Sequence, residues 1–237
     1  MTGRSSVDGA TLDRLAEAVV ALNPQPRKRR WVSLVFCLVD AVWSIGAHYD
    51  SVVVPLVRKR VAPRFGVDEP TAPADGLQPN DPLTLRQLAD LGLDELTELT
   101  NLQRTSTRGG ILKAEAVLRH CHRFRESGVE TLEQAIELMA VEERFTELDR
   151  ALRSIPGEGD YGIRRGYLWM MIGNDNLIKP DRMVLRWLDR QGVRTDPDGA
   201  REIIAALVSR VEFPDGRKPT AWEIDHAIWG AARQKRS

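Results

Sequence analysis

The sequence predicts an all-α protein. Apolar residues recur every three to four positions along most of the chain, strict alternation is almost absent, and glycines and prolines divide the pattern into short segments. About eleven or twelve helices are expected.

The elements follow in order. Leu12, Leu15, Ala16, Val19 and Leu22 share one helical face, and Asn23-Pro24-Gln25-Pro26 stops that helix. The basic run Arg27–Arg30 precedes an apolar helix carrying Trp31, Val35, Leu38, Val42 and Ile45, ended by Gly46. That run contains Asp40 and, at 15 residues, is shorter than a membrane span, which needs about 20. It reads as a buried core helix. Val53, Leu56, Val57 and Val61 mark the next helix, with Pro55 tolerated only in its first turn. The triplet Val52–Val54 also reads as a short strand, with no partner strand nearby.

Residues 63–82 hold five of the 13 prolines and few large apolar side chains, so an exposed connection is expected there. Short helices follow over Leu83–Leu91 and Leu93–Leu102. A longer one opens at Gly109-Gly110 and ends at Gly128. Thr131 and Gln134 have capping-box spacing. A helix through Phe145, Leu148 and Leu152 runs to Ile155-Pro156-Gly157-Glu158-Gly159. The next runs from about Tyr161 to Ile172, and another from Pro180 to Arg190. The last two lie near Asp198–Val211 and Thr220–Arg233, with Pro214-Asp215-Gly216 turning between them.

Composition bounds function. With 34 basic and 34 acidic residues the formal net charge is zero, which excludes polyanion binding by bulk charge; any cationic surface is local. Two cysteines, Cys37 and Cys121, exclude a four-cysteine metal or iron–sulfur site and make a reducing, cytoplasmic setting the default. The N-terminal residues lack an apolar signal core, so neither export nor membrane insertion is expected. No cofactor or metal is called for.

The stretch 145–187 carries the functional argument. Pro156 stops a helix. Gly157 and Gly159 permit φ > 0 and leave the backbone bare, so amides at the mouth of the following helix can face an anion such as a DNA phosphate. Arg164 and Arg165 stand beside this turn as phosphate-contact candidates. A plain interhelical turn also accounts for the two glycines, and a helix N-cap also accounts for Asp181; capping and catalysis can coexist.

Here the sequence resembles the helix-hairpin-helix DNA glycosylase superfamily, the endonuclease III-like group, without its iron–sulfur cluster. Ile155-Pro156-Gly157-Glu158-Gly159 matches the family's Leu-Pro-Gly-Val-Gly hairpin. Asp181 lies 25 positions after Pro156 and Arg186 five after Asp181, the family's spacing for its catalytic Asp and a following Arg. A weaker likeness extends over about 31–190.

The resemblance implies a two-lobed helical unit over 1–237, with the helix-hairpin-helix at about 145–172. It implies that a base is extruded from DNA into a cleft between the lobes. Asp181 would stabilise positive charge on the sugar or orient a water while the N-glycosidic bond breaks. Arg186 would steady the local structure. The family's lyase Lys position falls on Tyr161, or on Gly162, so the implied chemistry is monofunctional. Trp43, Tyr49 and Tyr161 are candidate pocket residues. DNA is the expected partner. Two alternatives remain: a non-catalytic helix-hairpin-helix DNA-binding protein, and a helical protein-interaction module. Trp222 and Trp229, seven apart, share a face expected to dock the last helix. Asp225-His226 diverge on it, and so do His120 and His122 on theirs.

Overall fold

A computed structural model describes residues 7–75 and 80–234. The protein is predominantly helical, and its chain divides into two compact units. One spans Lys28–Gly173; the other joins the chain up to Arg27 with the chain from Asn174 onward. Among the described residues, no helix is long and apolar enough to cross a membrane.

The first helix, α1 (Gly9–Ala21), belongs to the second of these units. Asp8 caps it, accepting the Thr11 amide at 2.7 Å. Its Leu15 and Val19 are fully buried.

The Lys28–Gly173 unit opens with a departure from the all-helix expectation. Arg29–Trp31 is a strand, β1. It pairs antiparallel with β2 (Thr71–Pro73), with Arg30 opposite Ala72. The segment expected as an exposed connection therefore contributes a strand with a buried Ala72. Its far end is also engaged. The Asp81 carboxylate accepts the amides of Leu34, Leu83 and Leu132, satisfying two helix N-termini at once.

Every residue of α2 (Leu34–Trp43) is buried. Next comes a helical stretch, α3, over 49–64, in which π-helical turns flank short α-helical pieces at Pro55 and Pro63. The triplet Val52–Val54 is thus helical, not a strand. Each proline lacks an N–H and its ring crowds the carbonyl four residues back, which accounts for the widened turns. The helices α4 (Leu85–Ala89), α5 (Gly92–Leu99), α6 (Lys113–Glu126), α7 (Leu132–Met139), α8 (Glu142–Leu152) and α9 (Ile163–Ile172) follow. The expected capping box at Thr131 and Gln134 is present. Gly128 ends α6 with φ +76°. In contrast, α6 starts after the Gly109-Gly110 turn, at Lys113.

Two buried charges organise this unit. Lys113 Nζ donates to the carbonyls of Trp43 and Ile45 at 3.0 and 2.9 Å, closing the C-terminal end of α2 where a cation is favoured. Asp40, in the middle of α2, accepts from Trp31 Nε1 at 2.8 Å, Tyr49 OH at 2.8 Å and Tyr167 OH at 3.1 Å. Burial, then the adjacent Asp40 carboxylate, pushes both phenols well above the usual range. Both stay protonated and donating.

The other unit is completed by α10 (Arg182–Arg190), α11 (Pro197–Arg210) and α12 (Ala221–Gln234). Their Val184, Trp187, Leu188, Ile203, Ile204, Leu207, Ile224 and Ile228 form one apolar core with Leu15 and Val19 of α1.

Replacing Asp40 with Ala removes the acceptor shared by Trp31, Tyr49 and Tyr167. The expected loss is about 1–3 kcal/mol of stability, the cost of leaving a buried donor unsatisfied. Urea denaturation of D40A measures it, and a loss below about 1 kcal/mol would refute this role.

Candidate nucleic-acid interface and carboxylate site

The hairpin forms where the spacing places it. Ile155 is buried at the end of α8, Gly157 has φ +99°, Gly159 φ +67° and Gly162 φ +59°, and α9 begins at Ile163. The two turn glycines do different jobs. A Cβ on Gly157 would meet Thr105 Cβ at 2.4 Å and Arg164 Nη2 at 2.6 Å, so this glycine allows close packing. A Cβ on Gly159 would meet nothing within 4 Å. The Gly159 side of the turn is open, and Gly159 and Asp160 are exposed. Their amides donate no hydrogen bond among the described residues.

The two arginines beside the turn meet acids of the protein itself. The Arg164 side chain is 1% exposed and points at Glu158, with Nη1 3.6 Å from Oε1. Burial pulls its guanidinium below the usual range, and Glu158 opposes that pull. Arg165 donates from Nε to Asp149 Oδ1 at 2.6 Å, and its backbone amide donates to Glu158 Oε2 at 3.1 Å. The physical reason is Glu158. Its side chain turns inward rather than out over the turn, and it draws both cations with it.

Asp181 caps α10. Its Oδ1 accepts the Met183 amide at 2.7 Å, and the side chain is half-buried. Arg186 is exposed on α10, so it does not serve as packing. A second carboxyl lies close by, Asp225, which the sequence reading weighs only as a neighbour of His226. Asp225 on α12 is 8% exposed and accepts the Lys179 amide at 3.2 Å. Burial, and then the Asp181 carboxylate beside it, pushes Asp225 up to about 8, so it holds a proton at neutral pH. The only sequence clue is an acid on the same helical face as Ile228, where a core residue is expected.

The chain belongs to the family described as Domain of unknown function (DUF8548). The family's sequence profile matches residues 10–233. No curated protein and no solved structure matches the chain. The DUF8548 region takes in helices of both units, the hairpin, Asp181 and Asp225.

Within this DUF8548 chain the three pocket candidates stand in different settings. Trp43 is fully buried at the end of α2, with Nε1 bonded to Asn101 Oδ1 at 3.1 Å. Tyr49 is directed to Asp40. Tyr161 is 42% exposed on the hairpin. An open depression of about 430 Å³ lies between α6 and Ser154-Ile155. Its cations Arg119 and Arg123 are paired with Glu115 and Glu126.

The last helix carries a ladder of planar groups. Arg27 lies over Trp222 at 4.0 Å, Trp222 stacks on His226 at 4.7 Å, His226 on Trp229 at 5.6 Å, and Arg233 covers Trp229 at 4.3 Å. Partial burial, then Arg27 and Arg233, lowers the His226 pKa. Trp222 thus packs beneath Arg27, while His226 is the exposed rung. Asp225 and His226 diverge, as adjacent helical residues must. Among the described residues, no cluster of three or more His, Cys, Asp or Glu could hold a metal ion.

Asp225 yields a pH prediction. Its folded value lies above the ordinary 3.8. Between about pH 4 and 8 the unfolded chain has released a proton that the folded chain retains, so stability falls as pH rises through that window. The slope approaches about 1.4 kcal/mol per pH unit. In Asp225→Asn, which keeps an acceptor for Lys179, that contribution disappears and neutral-pH stability rises. Denaturation midpoints of both proteins at pH 5 and 8 measure it; equal pH dependence would show that Asp225 is not a buried acid.

Proposed function

We propose that the protein binds DNA through the open edge of its hairpin and excises a base by monofunctional N-glycosidic hydrolysis, with Asp181 as the catalytic carboxylate. The observation that carries this reading is the glycine turn between α8 and α9. It leaves the amides of Gly159 and Asp160 without a hydrogen-bond acceptor among the described residues. Amides so disposed attract a phosphate without any net positive charge. A cytoplasmic setting belongs to this reading, and both cysteines are buried.

Chemically, Asp181 has one oxygen fixed by the Met183 amide, which leaves the other carboxylate oxygen to face a sugar or a water. Asp225, holding a proton beside it, supplies a neutral neighbour rather than a second charge.

A non-catalytic reading has its own support. The Asp181 hydrogen bond to Met183 is what an N-cap requires, and no further partner is needed to explain that side chain.

One series of measurements separates the readings. Duplex DNA binding is expected at low salt, falling about tenfold for a fourfold rise in salt if about two phosphates are gripped. Wild type is expected to generate abasic sites in DNA carrying assorted lesions, and Asp181→Asn is not. Abasic product from both proteins removes Asp181 from the mechanism. Binding without product supports the non-catalytic reading. No binding at low salt leaves a helical interaction module.

A further inference from the structure

Buried polar atoms in folded proteins are nearly always hydrogen-bonded. At the base of the hairpin this rule fails in one concentrated place. Arg164 Nε, Nη1 and Nη2, Arg165 Nη1, Glu158 Oε1 and His120 Nε2 are all buried without a hydrogen-bond partner among the described residues. They converge on one carboxylate. His120 Nε2 is 3.5 Å from Glu158 Oε1, Arg164 Nη1 is 3.6 Å from the same oxygen, and Arg165 Nη1 is 3.8 Å from Oε2. Each contact is near enough to attract and too long or misaligned to be a good hydrogen bond.

One carboxylate leaves these donors unserved. Arg164 Nη1, Arg165 Nη1 and the Arg165 amide face Glu158, and only the amide is bonded to it. Arg164 Nε and Nη2 are buried beside them with no hydrogen-bond partner among the described residues. That amide lies in the first turn of α9, where the helix favours an anion. Arg165 has a second acid, Asp149, on its Nε. Arg164 has Glu158 alone.

We propose that Arg164, Arg165 and the first turn of α9 form a binding site for a phosphate group, which Glu158 fills until a phosphate displaces it.

A tetrahedral oxyanion matches the donor set better than a carboxylate, because its oxygens point in several directions and Arg presents a planar fork to each. His120 fits the same ligand. Its Nδ1 faces the Ala116 carbonyl at 2.7 Å, which can only accept, so Nδ1 carries the hydrogen. The buried Nε2 then faces the site with no hydrogen-bond partner among the described residues. Glu158 is placed to leave. It is flanked by Gly157 and Gly159, both at positive φ, and the Gly159 side is open. When Glu158 swings out, the buried Arg164 charge must be neutralised again, and only an anion does that. The site deepens the DNA-binding reading and rests on it only for the source of the phosphate.

The test uses the full chain and inorganic phosphate. Calorimetric titration is expected to show phosphate binding at least tenfold tighter in Glu158→Gln than in wild type. The gain is expected to vanish in Glu158→Gln/Arg164→Met. Equal affinity in wild type and Glu158→Gln, or a gain that survives loss of Arg164, overturns the site. Should either variant not fold, the Arg Nε–H resonances of wild type decide. A saturable shift on phosphate addition supports the site, and no shift refutes it. A parallel titration with a short duplex identifies the source. Tighter binding of both ligands by Glu158→Gln assigns the site to a strand phosphate. Tighter binding of inorganic phosphate alone assigns it to a free phosphate, and the site then stands without the DNA reading.

Discussion

Asp40 is the constraint on which the larger unit depends. A carboxylate in the middle of a wholly buried helix is tolerable only if its oxygens are fully used. Trp31, Tyr49 and Tyr167 use them. These three donors come from β1, α3 and α9, so one side chain sets the position of three elements around α2. Tyr167 matters most for the glycine turn, because α9 is the helix that follows it. The turn at Gly157–Gly159 is held at its far end by this buried acid. At its near end Gly157 is packed against Thr105.

A second acid, Glu158, sets the electrostatics of the turn. A zero net charge means that each cation near the hairpin must be accounted for by a local partner. Glu158 and Asp149 claim Arg164 and Arg165. What the turn shows to solvent is therefore backbone, not guanidinium. Any strand contact in this state is made by amide dipoles and stays modest. Release of Glu158 would convert the same turn into a cationic one. In the proposed site, the strength of anion binding would depend on one side chain between two glycines.

Much of this was legible in the sequence. Helical periodicity placed α1, α8, α9 and α10 within a few residues, and Thr131 with Gln134 declared a capping box. These signals are local, and local physics decides them. The strand pair escaped because Arg29–Trp31 and Thr71–Pro73 are three residues each and stabilise one another only across some 40 positions of chain. Alternation over three residues carries no period. The pairing of Arg164 and Arg165 with acids of the protein escaped for a related reason. A helix face is readable from spacing, but whether that face meets solvent or Glu158 is a tertiary fact. Asp40 was visible as an acid in an apolar run. Its three partners were not, since they lie at positions 31, 49 and 167.

The two carboxyls near the start of α10 stand in different surroundings. Asp225 is buried with one backbone donor, too little to offset desolvation, so it keeps its proton. Asp181 sits half-exposed at a helix N-terminus, bonded to a backbone amide. Its orientation is fixed by that amide, and its neighbour is neutral rather than repelling. An N-cap hydrogen bond is usually taken as evidence against chemistry, because it gives the residue a sufficient structural reason to exist. Here the same bond does what a catalytic carboxylate needs: it removes rotamer freedom before substrate arrives and leaves the second oxygen unengaged by that bond. The cap therefore does not decide between the two readings. The discriminating quantity is whether removing the charge alone, while keeping the cap, changes the chemistry. Asparagine at position 181 does this, since it caps a helix as well as aspartate and carries no charge.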